Sequence, residues 1–331
     1  MKRHSDLWKE IITHENISLA FDKARKGKSK YSEVRKIERK RDYYLKEIQI
    51  MLENQTFQTS AYKIKKVYEP KERDIYVLPF YPDRIIQHCL MNVIEPIWDK
   101  LFIHDSYACR KGKGQHKASQ RLMHFIRKSK YKFYLQGDIK KFYPSINHDI
   151  MKNIVRNKIK DKSLLHIFDN IIDSIKGNYN VPIGNYTSQW LGNLYLNELD
   201  TFVKHELKCK YYLRYNDDFV ILGNGIKDLK TKQEKIRTFL KNKLDLTLAK
   251  EKIQPIKNSI DFIGYKHFID KILIRKSSKI RMFRKLKNNI TNKYKLTEQY
   301  IQSYLGSLKG WLKWSSDKKF KTKLKLKFQE L

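Results

Sequence analysis

Tyr211-Tyr212-Leu213-Arg214-Tyr215-Asn216-Asp217-Asp218-Phe219-Val220-Ile221-Leu222 consists of two β-prone runs around a polar triplet. Aromatic and β-branched residues favour extended backbone, whereas Asn and Asp tolerate turn geometry, so the stretch reads as a hairpin with acids at its tip. Taken alone, such a triplet is most often an ordinary turn. A second stretch changes its meaning: Tyr134-Leu135-Gln136-Gly137-Asp138-Ile139 is a short apolar strand ending in a carboxylate, followed by a turn and helix cap at Pro144-Ser145-Ile146-Asn147. Asp138 and Asp217 can meet if these strands are neighbours in one sheet. Nucleotidyl transfer needs such a pair, because it uses two divalent metals, and hard Mg²⁺ is held by a few carboxylates with substrate oxygens completing its shell.

Outward from these strands, Lys2 to Asn54 reads as basic helices, with Val34, Ile37, Tyr44, Leu45, Ile48 and Leu52 near helical spacing. Tyr62 to Tyr68 and Asp74 to Leu78 alternate around the charged Glu69-Pro70-Lys71-Glu72-Arg73, the pattern of a hairpin. The spacing predicts helices over about Asp83 to Leu101 and Ile226 to Leu244. Strands follow around Ile253 to Ile256 and Ile260 to Phe268, then a lysine-rich helical end from Lys279. The fold class is α+β, with an antiparallel sheet at the acidic hairpin and no internal repeat.

Lys and Arg number 71 against 35 acidic residues, a net charge of +36, which far exceeds what solubility requires and points to a polyanionic partner. The 21 Tyr, 16 Phe and 5 Trp interleaved with these cations suit base stacking beside phosphate neutralisation. No run of about 18 apolar residues is present and Met1 to Asp22 has no signal-peptide core, so nucleic acid is favoured over membrane and a cytoplasmic location is expected. Cys89, Cys109 and Cys209 are odd in number and widely spaced, which excludes a disulfide framework and suggests packing roles. No histidine falls with a cysteine into a zinc-ligand spacing.

Tyr215-Asn216-Asp217-Asp218 resembles the Tyr-x-Asp-Asp signature of reverse transcriptases, and Asp138-Ile139-Lys140-Lys141-Phe142-Tyr143 resembles their first palm motif, in the same order. Further likeness runs through Asp83-Arg84-Ile85-Ile86-Gln87-His88, Ser106 to Gly114, Ile183-Gly184-Asn185-Tyr186-Thr187-Ser188-Gln189 and Phe262-Ile263-Gly264-Tyr265. The block from Arg84 to Gly114 and the Ile-Gly-Asn string most resemble the enzymes of diversity-generating retroelements. Most relatives carry Gln where this chain has Ile183, and Val, Met or Ala where it has Asn216.

The resemblance implies a right-hand polymerase: a basic helical extension over 1–60, fingers over 61–132, a palm over 133–270 with a finger insertion at about 150–182, and a basic helical thumb over 271–331. It implies RNA-directed DNA synthesis with two Mg²⁺ ions, Mn²⁺ substituting, held at Asp138, Ile139, Asp217 and Asp218. Tyr143 takes the place of the steric gate against a ribose 2′-hydroxyl, with Phe142 beside it. Arg73, with Lys65 or Lys66 across the hairpin, would clamp the triphosphate of a deoxynucleotide. Ile183, Gly184 and Gln189 complete the implied nucleotide site. Lys252, or less favourably Lys250, matches a lysine that protonates departing pyrophosphate. Arg84, Arg110, Lys111 and Lys113 are expected on the template, although Arg110 to Gly114 lacks Walker spacing. Trp311 and Trp314 are expected to pack the thumb. Partners would be template RNA, RNA–DNA hybrid and a small basic accessory protein, and copying would be error-prone opposite adenine. A phage-defence reverse transcriptase making another DNA would share these residues. A non-catalytic RNA-binding palm is opposed by intact Asp138, Asp217 and Tyr143.

Overall fold

The computed structural model describes residues 3–68 and 72–328, and the Glu69-Pro70-Lys71 part of the predicted hairpin lies outside them. The chain divides into two compact units. The first comprises Met1–His104, Ile139–Phe202 and Ile236–Ala249; the second comprises Asp105–Asp138, Val203–Lys235 and Lys250–Leu331.

In the first unit the predicted N-terminal helices form at Leu7–Ile11, His14–Arg25, Ser32–Arg39 and Arg41–Glu53. The Thr13 hydroxyl caps the second by accepting from Asn16 N at 3.2 Å. Its neighbour is helix Ile85–Asp99, which buries Ile85, Ile86, Cys89, Leu90, Met91, Ile94 and Trp98. Fully burying each such side chain contributes about 1.5–3 kcal/mol, so this helix is a main anchor of the unit. Asn16 fixes the register of the two helices: its Nδ2 donates to Cys89 O at 3.1 Å and its Oδ1 accepts from Asn92 at 2.9 Å. Trp98 stacks on Phe168 of helix Lys162–Ile172, within the predicted insertion. The predicted hairpin is β1 (Lys63–Val67) paired antiparallel with β2 (Arg73–Val77). Tyr76 N donates to Ile183 O at 2.7 Å, tying the hairpin to the chain that enters helix Tyr186–Thr201.

The second unit holds nearly all of a four-stranded sheet made by β3 (Phe133–Ile139), β4 (Tyr212–Tyr215), β5 (Asp218–Gly223) and β6 (Leu248–Pro255) in the order β4-β5-β3-β6. Both β4–β5 and β3–β5 are antiparallel. Leu122, Phe125 and Ile126 of helix Gln115–Lys128 pack with Tyr134, Leu213, Val220 and Leu222 of the sheet. Helix Ile226–Leu244 has the predicted bounds.

The single strand expected over Ile260 to Phe268 is instead a hairpin. β7 (Ile260–Phe262) and β8 (Tyr265–His267) pair antiparallel, and β9 (Ile272–Ile274) joins β8. Ile263 (φ 45°) and Gly264 (φ 84°) form the two-residue turn, which needs positive φ at both positions, so an isoleucine in left-handed backbone concealed the break. The helical end begins at Lys276, earlier than expected, and runs as Lys276–Thr291, Glu298–Lys313 and Lys318–Phe328. Met282, Leu286, Tyr304, Leu308 and Leu312 form its core, and Trp311 and Trp314 pack against that cluster. Cys89 and Cys209 are buried as expected for packing residues, but Cys109 is exposed in a left-handed loop.

Candidate active site

The β3–β5 register sets Asp138 directly opposite Asp218, and the β4–β5 register sets Tyr215 opposite Asp218. Paired residues of antiparallel strands project from the same face, so Asp138, Asp218 and Tyr215 share one face. Asn216 and Asp217 are the two central residues of the β4–β5 turn, and all three carboxylates are half-buried. Asn216 has φ 55°. A non-glycine residue in that conformation is commonly Asn or Asp, which gives the unusual Asn of the signature a backbone role. Its Nδ2 also donates to Asp217 Oδ1 at 3.2 Å.

The opposite face carries Gly137, Phe219 and Arg214 in register. A Cβ at Gly137 would lie 2.3 Å from Phe219 Cζ, so the ring covers the glycine beside Asp138. Arg214 is fully buried; its Nη1 donates to Asn216 O at 3.0 Å and its Nη2 to Ser106 Oγ at 3.3 Å. A buried guanidinium is stable only where acceptors meet it, and here one acceptor is the acidic turn itself. Sequence reading passed over Arg214. Its signal was a cation at an inward position of an apolar strand, which demands a partner.

Arg214 also joins the turn to the basic loop. Tyr107 N donates to Arg214 O, and Arg214 N to Asp105 O, both at 3.0 Å. Asp105 is held by Arg121 through two bonds of 2.8 and 3.2 Å. Arg110 donates to Ser106 O at 3.1 Å, Lys113 lies 4.8 Å over the Tyr107 ring, and Lys111 is exposed. Three of the expected template-binding cations therefore stand on a loop hydrogen-bonded to β4. Lys252 differs: its Nζ sits 5.8 Å from the Tyr134 ring. Tyr134 precedes Asp138 by four residues on β3, about 13 Å at strand rise, so the structure does not bring Lys252 to the carboxylates. Lys250 is exposed on the same strand, β6.

Among the described residues, no group of three or more His, Cys, Asp or Glu is placed to hold a metal ion. The donors at the hairpin are carboxylates, which suit a hard divalent cation. Two strand-end carboxylates with a third at the adjoining turn fit Mg²⁺ that arrives with substrate oxygens better than an all-protein cage.

The remaining expected residues lie in the first unit. Tyr143 is half-buried, with the buried Phe142 ring 5.1 Å away beneath it. Phe142 thus supports Tyr143 and has little surface for a ligand. Gly192 of helix Tyr186–Thr201 lies under both rings, since a Cβ there would stand 3.1 Å from Tyr143 and 3.2 Å from Phe142. Arg73 and Lys65 share one face of the β1–β2 hairpin, whereas Lys66 falls on the other, opposite Asp74, and pairs with Glu72 at 3.3 Å. Of the two lysines, Lys65 is the one on the Arg73 face. Ile183 is half-buried; Gly184 (φ 123°) abuts the hairpin so closely that a Cβ would lie 2.7 Å from Tyr76 O. Arg84, Gly184 and Gln189, expected on different ligands, line one cleft.

The family model described as reverse transcriptase (RNA-dependent DNA polymerase) matches residues 44–267. YkfC of Escherichia coli K12 is 25% identical over 266 residues, covering 65% of this chain and 68% of that protein. The group II intron-encoded protein LtrA of Lactococcus lactis subsp. cremoris is 23% identical over 291 residues, covering 65% of this chain and 47% of LtrA. Among solved structures, apo telomerase from Candida tropicalis superposes with a TM-score of 0.50 at 15% identity, over 71% of this chain and 52% of the other. The present chain thus spans about half the length of LtrA and of that telomerase. Together the superposition and the antiparallel sheet give the fold as that of a right-hand polymerase, with helices and an antiparallel sheet combined. Because the family match takes in both acidic strands and extends over most of the residues discussed above, the chain belongs to the reverse transcriptase family.

Proposed function

We propose that this chain is an RNA-directed DNA polymerase that copies a template RNA into cDNA from deoxynucleoside triphosphates. The observation that carries the reading is the pairing of Asp138 with Asp218, with Asp217 at the adjoining turn. Asp138, Ile139, Asp217 and Asp218 would hold two Mg²⁺ ions, with Mn²⁺ as a substitute, and these would supply charge neutralisation between the attacking hydroxyl and the leaving phosphate. Arg214 fixes the acidic turn by holding the Asn216 carbonyl. Tyr143 presents its ring to the sugar edge, and Arg73 with Lys65 neutralises the triphosphate. Arg110, Lys111 and Lys113 contact the template backbone.

In this reading 61–132 are the fingers, 133–270 the palm and 271–331 the thumb, preceded by the basic extension 1–60. The finer role we assign is error-prone copying for sequence diversification, together with a small basic accessory protein. It rests on the diversity-generating resemblance and on Ile183, an apolar residue that supplies no hydrogen bond to penalise a badly placed nucleotide. Extension of a DNA primer on a defined RNA with and without Mg²⁺, followed by product sequencing, tests both levels. Absence of metal-dependent extension contradicts the polymerase reading. Faithful copying of template adenines contradicts the diversifying one, and untemplated or repetitive product would favour the phage-defence alternative.

A further inference from the structure

A cleft in the first unit is lined by Lys28 from the turn between helices His14–Arg25 and Ser32–Arg39, Arg84 and His88 from around the start of helix Ile85–Asp99, and Gly184, Tyr186 and Gln189 at the start of helix Tyr186–Thr201. No acidic residue lines it. Its volume is about 180 Å³, ample for a phosphate group. Asn185, which precedes helix Tyr186–Thr201, makes no side-chain cap and donates its Nδ2 to Tyr62 Oη at 3.0 Å, while Tyr186 N donates to Gln87 Oε1 at 3.1 Å. The start of that helix lines the cleft beside two cations, Lys28 and Arg84.

His88 stacks on the Tyr186 ring at 4.6 Å, and its Nδ1 has no hydrogen-bond partner. Burial first, then repulsion from Lys28, Lys23 and Arg84, pushes the His88 imidazole pKa down to about 4. Burial and the neighbouring Arg84 likewise lower the Lys28 ammonium. These cations repel one another, an arrangement that an anion relieves.

We propose that the cleft seats one phosphodiester of the template strand, with Lys28 and Arg84 neutralising it. The inference rests on the template-copying reading for the identity of the strand, and it adds Lys28 and His88 to the surface that grips it. Nucleic acid is favoured over a free anion because the chain carries a net charge of +36 with 21 Tyr, 16 Phe and 5 Trp among its cations.

The test is metal-free binding of single-stranded RNA to the full chain, so its outcome does not depend on polymerase activity. Lys28→Gln should weaken binding by about three- to tenfold and reduce the logarithmic salt slope by about 0.7, the loss of one phosphate contact. Lys28→Arg should restore both, which separates charge from folding. RNA with one neutral methylphosphonate, moved along the strand, should weaken wild-type binding at one linkage, and Lys28→Gln should no longer sense that linkage. Unchanged affinity and slope in Lys28→Gln would overturn the proposal. So would an effect confined to deoxynucleoside triphosphate binding, since the cleft would then serve the nucleotide.

Discussion

Gly137→Ala is the smallest change that reaches the acidic sheet from behind. The added methyl would stand 2.3, 2.6 and 3.0 Å from Phe219 Cζ, Cε1 and Cε2. Ordinary contact begins near 3.4 Å, so the ring or the strand must retreat by about 1 Å. Phe219 is 1% exposed and lies beside Tyr212 at 6.2 Å between ring centres, so no solvent-filled space receives it. Overpacking of this kind costs about 1–3 kcal/mol. Gly137 and Phe219 adjoin the Asp138–Asp218 pair in register, so the strain displaces the carboxylates that the mechanism needs aligned. A misplacement of about 1 Å lowers rate by about 100-fold. Single-turnover primer extension and thermal melting would measure both effects. The double variant Gly137→Ala/Phe219→Leu should recover at least about tenfold of the lost rate, because leucine lacks the clashing ring atoms and neighbouring sites couple. Wild-type rate and melting in Gly137→Ala, or purely additive losses in the double variant, would refute the packing argument.

Arg214→Met should keep RNA binding near wild type but lower the extension rate by about tenfold or more, because the Asn216 carbonyl loses a charged donor worth about 1.5–3 kcal/mol; side-by-side binding and extension assays check it. Tyr143→Ala removes the ring that would meet a 2′-hydroxyl, so competition between ribo- and deoxynucleotides should shift toward ribonucleotide incorporation. Ile183→Gln should lower misincorporation opposite adenine by a few-fold to about tenfold, the value of one restored hydrogen bond, as read by deep sequencing of the cDNA.

Much of the second unit was legible because strand alternation and turn chemistry are local. The hairpin tip at Asn216-Asp217 and the strand carrying Asp138 appear where β-prone runs stop at polar residues. Helix Ile226–Leu244 was equally plain from its apolar spacing. The turn at Ile263–Gly264 was hidden because isoleucine rarely adopts positive φ and gives no turn signal. Arg214 was missed because its role depends on an acceptor two residues ahead and a serine more than one hundred residues upstream, which only folding brings together. That Lys65, and not Lys66, shares a face with Arg73 needed the strand register, which a one-residue slip reverses.

The most direct measurement compares wild type with Asp138→Asn and Asp217→Asn in Mg²⁺-dependent extension of a primer on RNA, with circular dichroism and RNA binding measured on the same preparations. Each substitution removes one carboxylate charge from a half-buried position and leaves side-chain size nearly unchanged. The account predicts that extension disappears in both variants while the fold and RNA affinity stay close to wild type. Near-normal extension by either variant would contradict the assignment of these carboxylates to catalysis.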